Sequence, residues 1–401
     1  MKQGVRAVIL AGGQGTRLCP LTGTDPIRDR PKPNVPFEKR RLIDFPISGC
    51  LHSTSVDDIH VLAQAHPNKI INHIQSTYLT HEVNGKVRGQ VAPMITGKEF
   101  FAGTFDAVRQ SRYLIDSCHE NILVLSGDHL YKMIYDELVE HHQATAADVT
   151  VVVKRVPAAE AGEFGVFALS PSGTVIDFVE KPDRKNILVP TIDDGGNSLV
   201  SLGIYLVKTS ALKRLFAECE GNDFGHNVIP FVLGSQDYKL SLFEYDGYWR
   251  DVGSIKSLWQ ANMDIIGPKP SLNLYDRRHP IYHLPKHLPS PKFINGCQIQ
   301  DSIVSDGCII AGRIFSSVFS SRIRVGCNTQ VSESVLFDQV KVGHNARLHR
   351  VIADKHVQIG DGVILGENPE QDVLNWPGQL VLRDGIIVVT RGAIIGSPPQ
   401  F

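Results

Sequence analysis

A glycine-rich loop directly follows the first apolar run of the chain and could hold a phosphate group. The run Val5–Leu10 continues into residues 11–18, which include three glycines and Arg17. Glycine lets backbone N–H groups turn toward an anion, and an arginine adds a charge-assisted hydrogen-bond donor. A plain glycine turn at the end of a strand would have the same composition, so the loop indicates an anion site only together with other residues.

The spacing within this loop excludes two common nucleotide-binding motifs. The chain contains no G-x-x-x-x-G-K-[ST] sequence, which a P-loop requires. The dinucleotide fingerprint G-x-G-x-x-G also fails, because Leu18 stands where the third glycine belongs. The loop therefore predicts neither a P-loop NTPase nor an ordinary dinucleotide site.

Two aspartates and a lysine provide the other candidate chemistry. Asp128 follows the apolar run Ile122–Leu125, Lys181 follows Val175–Val179, and Asp251 lies farther along the chain after Trp249 and Arg250. Open α/β sheets bind ligands at the carboxyl ends of their strands, which is where Asp128 would lie. From the residues alone, either aspartate could equally be a turn or cap residue, and Lys181 a solvated surface lysine.

The composition is that of an ordinary folded protein without a bulk charge. The 401 residues include 41 Lys and Arg against 42 Asp and Glu, for a net charge of -1. At roughly 150 residues per domain, this length predicts two or three domains. No net field is available to hold a nucleic-acid backbone or an anionic membrane, so we expect neither as a partner.

Cysteine usage and the N-terminal residues favour a cytoplasmic protein. The seven cysteines are odd in number and scattered, with no C-x-x-C spacing, which is typical of reduced thiols. The first apolar run breaks into glycines after Ala11. No stretch approaches the roughly 18 apolar residues of a membrane span, so we expect neither a signal peptide nor a transmembrane segment.

The elements that must position these residues alternate between strands and helices. We predict strands at Val5–Leu10, Ile59–Leu62, Ile122–Leu125 and Val149–Val153, and helices at Asn68–Tyr78, Ala107–Ser117, Tyr135–Ala147 and Ser257–Ile266. Such alternation implies crossover units, hence an α/β domain with a mixed, mainly parallel sheet. We expect this domain to span residues 1–266, followed by a proline-rich linker over 267–290.

The last part of the chain carries an internal repeat. The pairs Val325-Gly326, Val342-Gly343 and Ile359-Gly360 recur every 17 residues. Short strands with three turns per repeat predict a parallel β-helix over residues 291–401, with a β-sandwich as the alternative. A solenoid of this kind usually assembles or regulates, so we expect the chemistry in the first domain.

Several further motifs follow the glycine loop in a fixed order. They are Lys32-Pro33, Arg41–Pro46, Gly103–Val108, Ser126–Tyr131, Phe164–Val166, Phe178–Pro182, Ser201–Tyr205, Asp223–Gly225 and Tyr248–Gly253. Together with residues 11–18 they resemble the sugar nucleotidyltransferases, and among these the glucose-1-phosphate adenylyltransferases, over nearly the whole chain. This resemblance implies a Rossmann-like nucleotidyltransferase domain of the GT-A type followed by a left-handed β-helix.

The resemblance also implies a reaction and its partners. The family transfers the adenylyl group of ATP to glucose 1-phosphate, giving ADP-glucose and pyrophosphate for glycogen- or starch-type glucan synthesis. That displacement needs in-line positioning and neutralisation of phosphoryl charge, not a protein nucleophile. By the same resemblance we expect a Mg²⁺ cofactor, a homotetramer and a small-molecule allosteric effector.

Roles for individual residues follow from the resemblance. The expected catalytic residues are Arg17, Lys32, Asp128 and Asp251, and both aspartates would bind Mg²⁺. The expected ligands of glucose 1-phosphate are Phe101, Gly165, Glu180, Lys181 and Ser201. The expected nucleotide-binding residues are Leu10, Ala11, Gly12, Gly13, Gly15, Thr16, Gly103 and Asp106.

The chain departs from this family near the base and effector regions. Asp29 stands where many relatives have an activator-sensing lysine, and residues 91–95 offer no glutamine in register to read the adenine edge. A nucleotidyltransferase using UTP, dTTP or GTP therefore remains an alternative. A catalytically silent regulatory subunit is a second alternative, although the chain retains the charged residues of the family's motifs, which favours an active enzyme. An acyltransferase using the β-helix is a third, and no acyl-CoA motif supports it.

Overall fold

The computed structural model describes residues 4–13, 15–23, 30–64, 66–79, 91–95, 101–115, 119–182, 195–294, 296–397 and 399. Over these ranges the chain forms a nine-stranded sheet covered by helices, followed by a coil of short parallel strands. None of the described helices is long and apolar enough to cross a membrane. The six cysteines in these ranges are free thiols.

The strands and helices of the first part alternate as the sequence predicts. The strands are β1 Val5–Ala11, β2 Pro36–Phe37, β3 Arg40–Arg41, β4 Val56–Ala63, β5 Val91–Ile95, β6 Asn121–Ser126, β7 His129–Tyr131, β8 Val149–Pro157, β9 Gly165–Leu169, β10 Val175–Glu180, β11 Asn197–Lys208, β12 Leu240–Glu244 and β13 Trp249–Asp251. The helices are α1 Asp44–His52, α2 Pro67–Ile74, α3 Thr104–Gln110, α4 Asp136–Ala144, α5 Thr209–Glu218, α6 Ile229–Gly234 and α7 Ile255–Met263.

The main sheet is mixed, as predicted. Its strand order is β10-β9-β11-β6-β1-β4-β5, and β8 and β12 extend it from β11. The ladders joining β6, β1, β4 and β5 are parallel, whereas β11 runs antiparallel to β6, β8 and β9. Both faces are covered: Leu123 and Leu125 of β6 point into one hydrophobic core, and Ile122 and Val124 into the other. Burial on both faces explains the continuous apolar runs of the sequence.

The ends of all four predicted helices differ from the observed ones, and two of the predicted helices also end in a turn of another helical type. The segment predicted as one helix, Asn68–Tyr78, lies in α2 and then in a π-helical turn at Gln75–Leu79. The prediction over Ala107–Ser117 starts too late and runs too far, since α3 covers Thr104–Gln110 and a 3₁₀ turn follows at Arg112–Leu114. The α-helical ladder ends there because the Ser111 N–H donates to Val108 O, three residues back. Residues 116–118 lie outside the described ranges.

The C-terminal part is a three-sided coil of short strands. Its strands are β14 Lys292–Phe293, β15 Gln298–Gln300, β16 Ile303–Val304, β17 Ile309–Ile310, β18 Arg313–Phe315, β19 Val318–Phe319, β20 Arg324–Val325, β21 Gln330–Ser332, β22 Val335–Leu336, β23 Lys341–Val342, β24 Arg347–His349, β25 Val351–Ala353, β26 Gln358–Ile359, β27 Ile364–Leu365, β28 Leu380–Arg383, β29 Ile386–Val389 and β30 Ile394–Ile395. Helix α8 spans Pro369–Asn375.

Successive coils stack their apolar residues in register. Val325, Val342 and Ile359 are paired in one parallel sheet, as the 17-residue repeat requires. The glycine after each of them has a packing reason, since a Cβ at Gly326 would lie 2.7 Å from Gly343 of the next coil. The parallel ladders confirm the predicted β-helix and exclude the β-sandwich alternative.

The two parts of the chain share a hydrophobic core. It joins Leu258 of α7 and Leu272 and Ile281 of the connecting segment to β-helix residues such as Val335 and Val388. At its edge, the indole Nε1 of Trp259 donates to Glu333 O at 2.7 Å, and the Arg350 guanidinium carbon lies 4.9 Å from the Trp259 ring centroid. The β-helix is therefore packed against the sheet domain, and the boundaries at residues 266 and 290 stay predictions.

Buried ion pairs reinforce this interface. Arg30 donates to Asp354 of the β-helix at 2.5 Å, and both side chains are buried. Nearby, Asp338 pairs with Lys286 at 2.5 Å and Lys355 at 2.6 Å. Burial alone would raise the pKa of Asp338, but these two ammonium groups outweigh it and lower the pKa to about 2. The carboxylates of the β-helix thus neutralise cations where the two parts meet.

The Arg30–Asp354 pair predicts an asymmetric double-mutant cycle. Asp354→Leu alone should lower the free energy of unfolding by about 3–5 kcal/mol, because it leaves the Arg30 guanidinium buried without a carboxylate. Adding Arg30→Met should recover part of that loss. Urea unfolding followed by tryptophan fluorescence measures both changes.

A surface pair provides the control for this cycle. Arg155 and Glu244 are 2.9 Å apart, with side chains 41% and 43% exposed. Glu244→Leu should cost no more than about 1 kcal/mol. Equal losses for Asp354→Leu and Glu244→Leu would contradict a structural role for the buried pair.

Candidate active site

The glycine loop lies at the carboxyl end of β1 and packs on Lys32. Gly15 has φ +70°, a left-handed conformation that favours glycine, and a Cβ there would lie 2.7 Å from the Cβ of Lys32. The Thr22 hydroxyl donates to Gly15 O at 2.6 Å and fixes this turn. The loop is therefore held against the short 3₁₀ turn Lys32–Asn34 that carries the lysine.

A cross-strand pair brings the two predicted aspartates together. Asp128 follows β6 in the tight connection to β7, and β7 pairs antiparallel with β13 so that His129 lies opposite Asp251. The Lys32 ammonium lies between the two carboxylates, 2.7 Å from Asp128 Oδ2 and 3.1 Å from Asp251 Oδ1. Three residues distant in sequence thus converge within hydrogen-bond reach.

The charges of this cluster stabilise one another. Burial by itself lowers the pKa of Lys32, but Asp128 and Asp251 outweigh it and raise the pKa above its ordinary value. Burial by itself would raise the pKa of Asp128, but Lys32 and then His129 hold that pKa well below its usual range. Asp128 also accepts a short hydrogen bond from the Ser126 hydroxyl. The lysine is therefore a cation, and Asp128 a carboxylate, at neutral pH.

The donor set fits a hard divalent cation. Carboxylate oxygens of Asp128 and Asp251 already point at one positive charge, the Lys32 ammonium, which stands in for such an ion. Among the described residues, no group of three or more His, Cys, Asp and Glu side chains could hold a metal. A Mg²⁺ ion bound by this pair would therefore need further ligands from phosphate or water, which is how Mg²⁺ usually binds.

Arg17 lies beside the same cluster with an exposed side chain. A Cβ on Gly253 would lie 3.1 Å from Arg17 Nη2 and 3.0 Å from Asp251 Oδ2, so both side-chain ends lie close to this glycine. The Arg17 side chain is 62% exposed and its Nη1 is 3.7 Å from Glu163 Oε2. Its guanidinium is accessible to an incoming anion.

A cavity of about 290 Å³ opens beside Asp128 at the carboxyl ends of β1, β4 and β6. Its lining residues are Leu10, Gly12, Gly13, Pro33, Leu62, Gln64, Phe101, Gly103, Thr104, Ala107, Ser126, Asp128 and Asp223. Six of the predicted site residues are among them. Ala11, Gly15 and Thr16 instead form the adjoining end of β1 and its loop.

Asp106, predicted to bind the nucleotide, lies behind this cavity. Its carboxylate accepts from Ala102 N–H at 2.9 Å and from Gln110 Nε2 at 2.8 Å, and its own N–H donates to Asn222 O. Gly103 also packs against Asn222, since a Cβ at Gly103 would be 2.4 Å from Asn222 O. In this structure Asp106 fixes the loop that forms the cavity wall and does not line the cavity.

Two cavity residues had no role assigned from the sequence. Gln64 Oε1 accepts from Phe101 N–H at 3.0 Å and so joins the end of β4 to the opposite wall. Asp223 accepts from the Thr104 hydroxyl at 2.9 Å and from two N–H groups of the π-helical turn Phe224–Val228. Asp223 belongs to a motif that the sequence showed, but its position in the cavity depends on α3 and could not be inferred.

The residues predicted to bind the sugar form a second cluster. Glu180 at the end of β10 lies opposite Gly165 of β9 in the antiparallel ladder. A Cβ at Gly165 would lie 2.5 Å from Glu180 Oε2, and one at Gly225 would lie 2.3 Å from the same oxygen. Two glycines thus make the space that the Glu180 carboxylate occupies. Burial, opposed by the positive charge of Lys181, raises the pKa of Glu180.

Lys181 presents its side chain outward from this cluster. Its backbone has φ +49°, its N–H donates to Phe164 O at 3.0 Å, and its side chain is 59% exposed. Its Nζ is 3.9 Å from Glu180 Oε1. Ser201 is buried in β11, and its hydroxyl accepts from Gly203 N–H at 3.3 Å.

Trp249 connects the two clusters. Its ring centroid lies 5.0 Å from that of Phe164, beside the sugar-binding candidates, and 5.5 Å from that of His129, beside the carboxylates. The sequence favours a core aromatic at this position, and the ring is only half-buried. Its position two residues before Asp251 is the sequence signal that could have identified Trp249 as a site residue.

The comparisons with known proteins agree with this geometry. Residues 6–267 match the family model described as "Nucleotidyl transferase", and residues 289–389 match "GlmU-like, C-terminal hexapeptide". The α/β domain with its glycine loop and carboxylate pair is therefore that of a nucleotidyltransferase, and the coiled strands are consistent with a left-handed hexapeptide β-helix.

Individual relatives identify the family more closely. The chain is 38% identical to the glucose-1-phosphate adenylyltransferase of Rhodopirellula baltica, over 99% of this chain and 92% of that protein. It is 36% identical to the enzyme of that name from Nitrosococcus oceani and 37% identical to that from Thiobacillus denitrificans, each over 96% of this chain and 93% and 89% of theirs. The chain belongs to the glucose-1-phosphate adenylyltransferase family.

The carboxylate pair predicts the effect of a single substitution. Asp128→Asn keeps the shape of the side chain but removes a charge that a bound cation would need. Turnover in a pyrophosphate-release assay should fall at least tenfold, a loss of about 1.4 kcal/mol in transition-state stabilisation. Circular dichroism should remain that of the wild type.

Asp276→Asn is a matched control for Asp128→Asn. Asp276 also pairs with a lysine, since Lys132 Nζ is 2.9 Å away, but it lies in the connecting segment. Its removal should leave turnover unchanged. A folded Asp128→Asn enzyme with more than about a tenth of wild-type turnover would contradict the role given to the pair.

Proposed function

We propose that this protein transfers the adenylyl group of ATP to glucose 1-phosphate, releasing pyrophosphate and forming ADP-glucose. The observation that carries the proposal is the convergence of Lys32, Asp128 and Asp251 beside the 290 Å³ cavity at the end of the glycine loop. The relatives that carry this activity as their name cover nearly the whole chain. Glucan synthesis of the glycogen or starch type would consume the product.

The chemistry requires that two anions meet. A phosphate oxygen of glucose 1-phosphate attacks the α-phosphorus of ATP, and the bond from that phosphorus to the bridging oxygen breaks, so that pyrophosphate leaves. No protein nucleophile is needed, because positioning and charge neutralisation lower the barrier. Arg17 and Lys32 would bind the phosphates of the nucleotide, and Lys181 the phosphate of the sugar.

The sugar would lie in the Glu180 cluster. Glu180 and Ser201 offer oxygen acceptors to sugar hydroxyls, and Gly165 lets the backbone of β9 approach the ring. Phe101 in the cavity wall provides an apolar surface. The half-buried Trp249 would close the space between sugar and carboxylates.

Asp128 and Asp251 are the proposed ligands of Mg²⁺. When bound, the ion would neutralise negative charge on phosphate oxygens as it develops. The protein's own contribution is to hold the two carboxylates at one point through the β7–β13 ladder and the Ser126 hydrogen bond.

ATP is the proposed nucleotide because the named relatives are adenylyltransferases. Residues 90 and 96, at the edges of the segment expected to read the base, lie outside the described ranges, and β5 is described only by its backbone. UTP, dTTP and GTP are therefore tested alongside ATP.

The proposal extends to assembly and location. We infer a cytoplasmic homotetramer that uses the β-helix for subunit contacts and responds to a small-molecule effector. The core shared by Leu258 and Val335 supports a further consequence: deleting residues 291–401 would expose apolar surface on the catalytic domain. Sedimentation of the full-length chain tests the tetramer.

The test of the reaction is pyrophosphate release. The protein is incubated with glucose 1-phosphate, Mg²⁺ and each of ATP, UTP, dTTP and GTP in turn. Turnover should be highest with ATP and absent without the sugar phosphate. Preference for another triphosphate would replace the adenylyl assignment. If the protein by itself showed no turnover with any of the four triphosphates, it would be a catalytically silent subunit.

Lys181→Ala should weaken binding of one substrate only. A charge-assisted hydrogen bond is worth about 1.5–3 kcal/mol, so the KM for glucose 1-phosphate should rise about 10- to 100-fold. The KM for ATP should stay within about twofold, because the lysine would touch only the sugar phosphate.

Lys239→Ala is the matched control for Lys181→Ala. Lys239 is also exposed and next to a strand, but it precedes β12 at the opposite edge of the sheet from the cavity. It should change neither KM. Equal rises in both KM values for Lys181→Ala would mean that Lys181 does not serve the sugar phosphate.

A further inference from the structure

The Lys32 ammonium lies between the two carboxylates that are the candidate metal ligands. Its Nζ lies 2.7 Å and 3.1 Å from the carboxylate oxygens of Asp128 and Asp251, and the residue is 8% exposed. These are the same two carboxylates that fit a divalent cation. A metal bound between these carboxylates would compete with the ammonium for the same oxygens.

The position of Lys32 is built into the fold. The side chain starts from the 3₁₀ turn Lys32–Asn34, and its Cβ is covered by the backbone of Gly15, where a Cβ would come within 2.7 Å. The Lys32 side chain is only 10% exposed, so moving the ammonium off the carboxylates would leave a largely buried cation without its partners. It needs another anion close to the same place.

We infer that Lys32 is the resting counter-ion of the carboxylate pair and makes metal binding depend on the nucleotide. The inference rests on the proposed function, in which phosphates enter beside Asp128. A metal that arrives alone must displace the ammonium and leave it buried next to two added positive charges. Phosphates entering with the metal give the displaced ammonium a new partner, so metal and nucleotide bind with positive coupling.

This coupling is reciprocal. If the nucleotide raises the affinity for the metal, the metal raises the affinity for the nucleotide by the same factor. The resting protein therefore does not accumulate bare divalent ions at its carboxylates, and the site is neutralised by its own lysine until substrate arrives.

Direct titration with Mn²⁺ in the absence of nucleotide and sugar tests this inference. Mn²⁺ is counted by electron paramagnetic resonance on the full-length wild type, Lys32→Met and Lys32→Gln. Both neutral variants should bind Mn²⁺ at least about tenfold more tightly than the wild type, because the Lys32 ammonium, about 3 Å from the carboxylate oxygens, no longer competes with the ion. Lys32→Arg keeps the charge and should bind as weakly as the wild type.

Two further measurements locate the bound ion and show that the variants are folded. Adding Asp251→Asn to Lys32→Met should abolish the tightened binding, which places the ion between the carboxylates. Thermal unfolding shows that each variant is folded, and two neutral replacements guard against the failure of one.

Equal Mn²⁺ affinity in all four proteins would overturn the inference, as would tight binding that survives Asp251→Asn. The titration contains no substrate, so its outcome is separate from the pyrophosphate assay: a chain inactive with ATP could still show the exchange, and an active one could lack it.

Discussion

The structure depends on holding one ammonium, that of Lys32, within about 3 Å of two carboxylates that come from distant parts of the chain. Like charges repel, so Asp128 and Asp251 can stay together only with a cation between them. Each element near the site serves that arrangement. The β7–β13 ladder brings Asp251 to Asp128, the Ser126 hydroxyl holds Asp128, and the glycine loop encloses the stem of Lys32. Replacing one charge therefore disturbs the other two.

The short segment that carries Lys32 also carries a buried ion pair with the β-helix. Arg30, two residues earlier, donates to Asp354 at 2.5 Å in a buried contact. Arg41, after the β2–β3 turn, donates its N–H to Asp44 Oδ2, and Asp44 accepts from His73 and Tyr78. The base of the active site is thus fixed from the β-helix on one side and from α1 and α2 on the other. Lys32 is therefore only two residues along the chain from a buried contact with the β-helix.

Sequence reasoning succeeded where the signal was local. The strand Ile122–Leu125 and the repeat of Val325, Val342 and Ile359 follow from apolar periodicity, because each is buried in a regular ladder. It failed where tertiary contacts decide: α3 starts at Thr104 because its first turn packs on Asn222 and Asp223, far along the chain. The same contact turns Asp106 toward its own loop and puts Asp223 in the cavity. Nothing in the sequence around residue 104 carries that information.

The three cationic side chains of the site, Lys32, Arg17 and Lys181, differ in how far they are exposed to solvent, and this difference fits the roles proposed for them. Lys32 is 8% exposed and contacts carboxylates whose positions are fixed. Arg17 and Lys181 have side chains that are 62% and 59% exposed, with carboxylates only at 3.7 Å and 3.9 Å. A long exposed side chain loses rotamer entropy, of order 1.5–2 kcal/mol, when it closes on a ligand, and this lowers affinity while the ligand remains removable. In the proposed function, substrates and products would pass Arg17 and Lys181, whereas the charge at the carboxylates needs a counter-ion at every stage. The buried lysine suits the role of a fixed counter-ion, and the exposed Arg17 and Lys181 suit the proposed exchange of anionic partners.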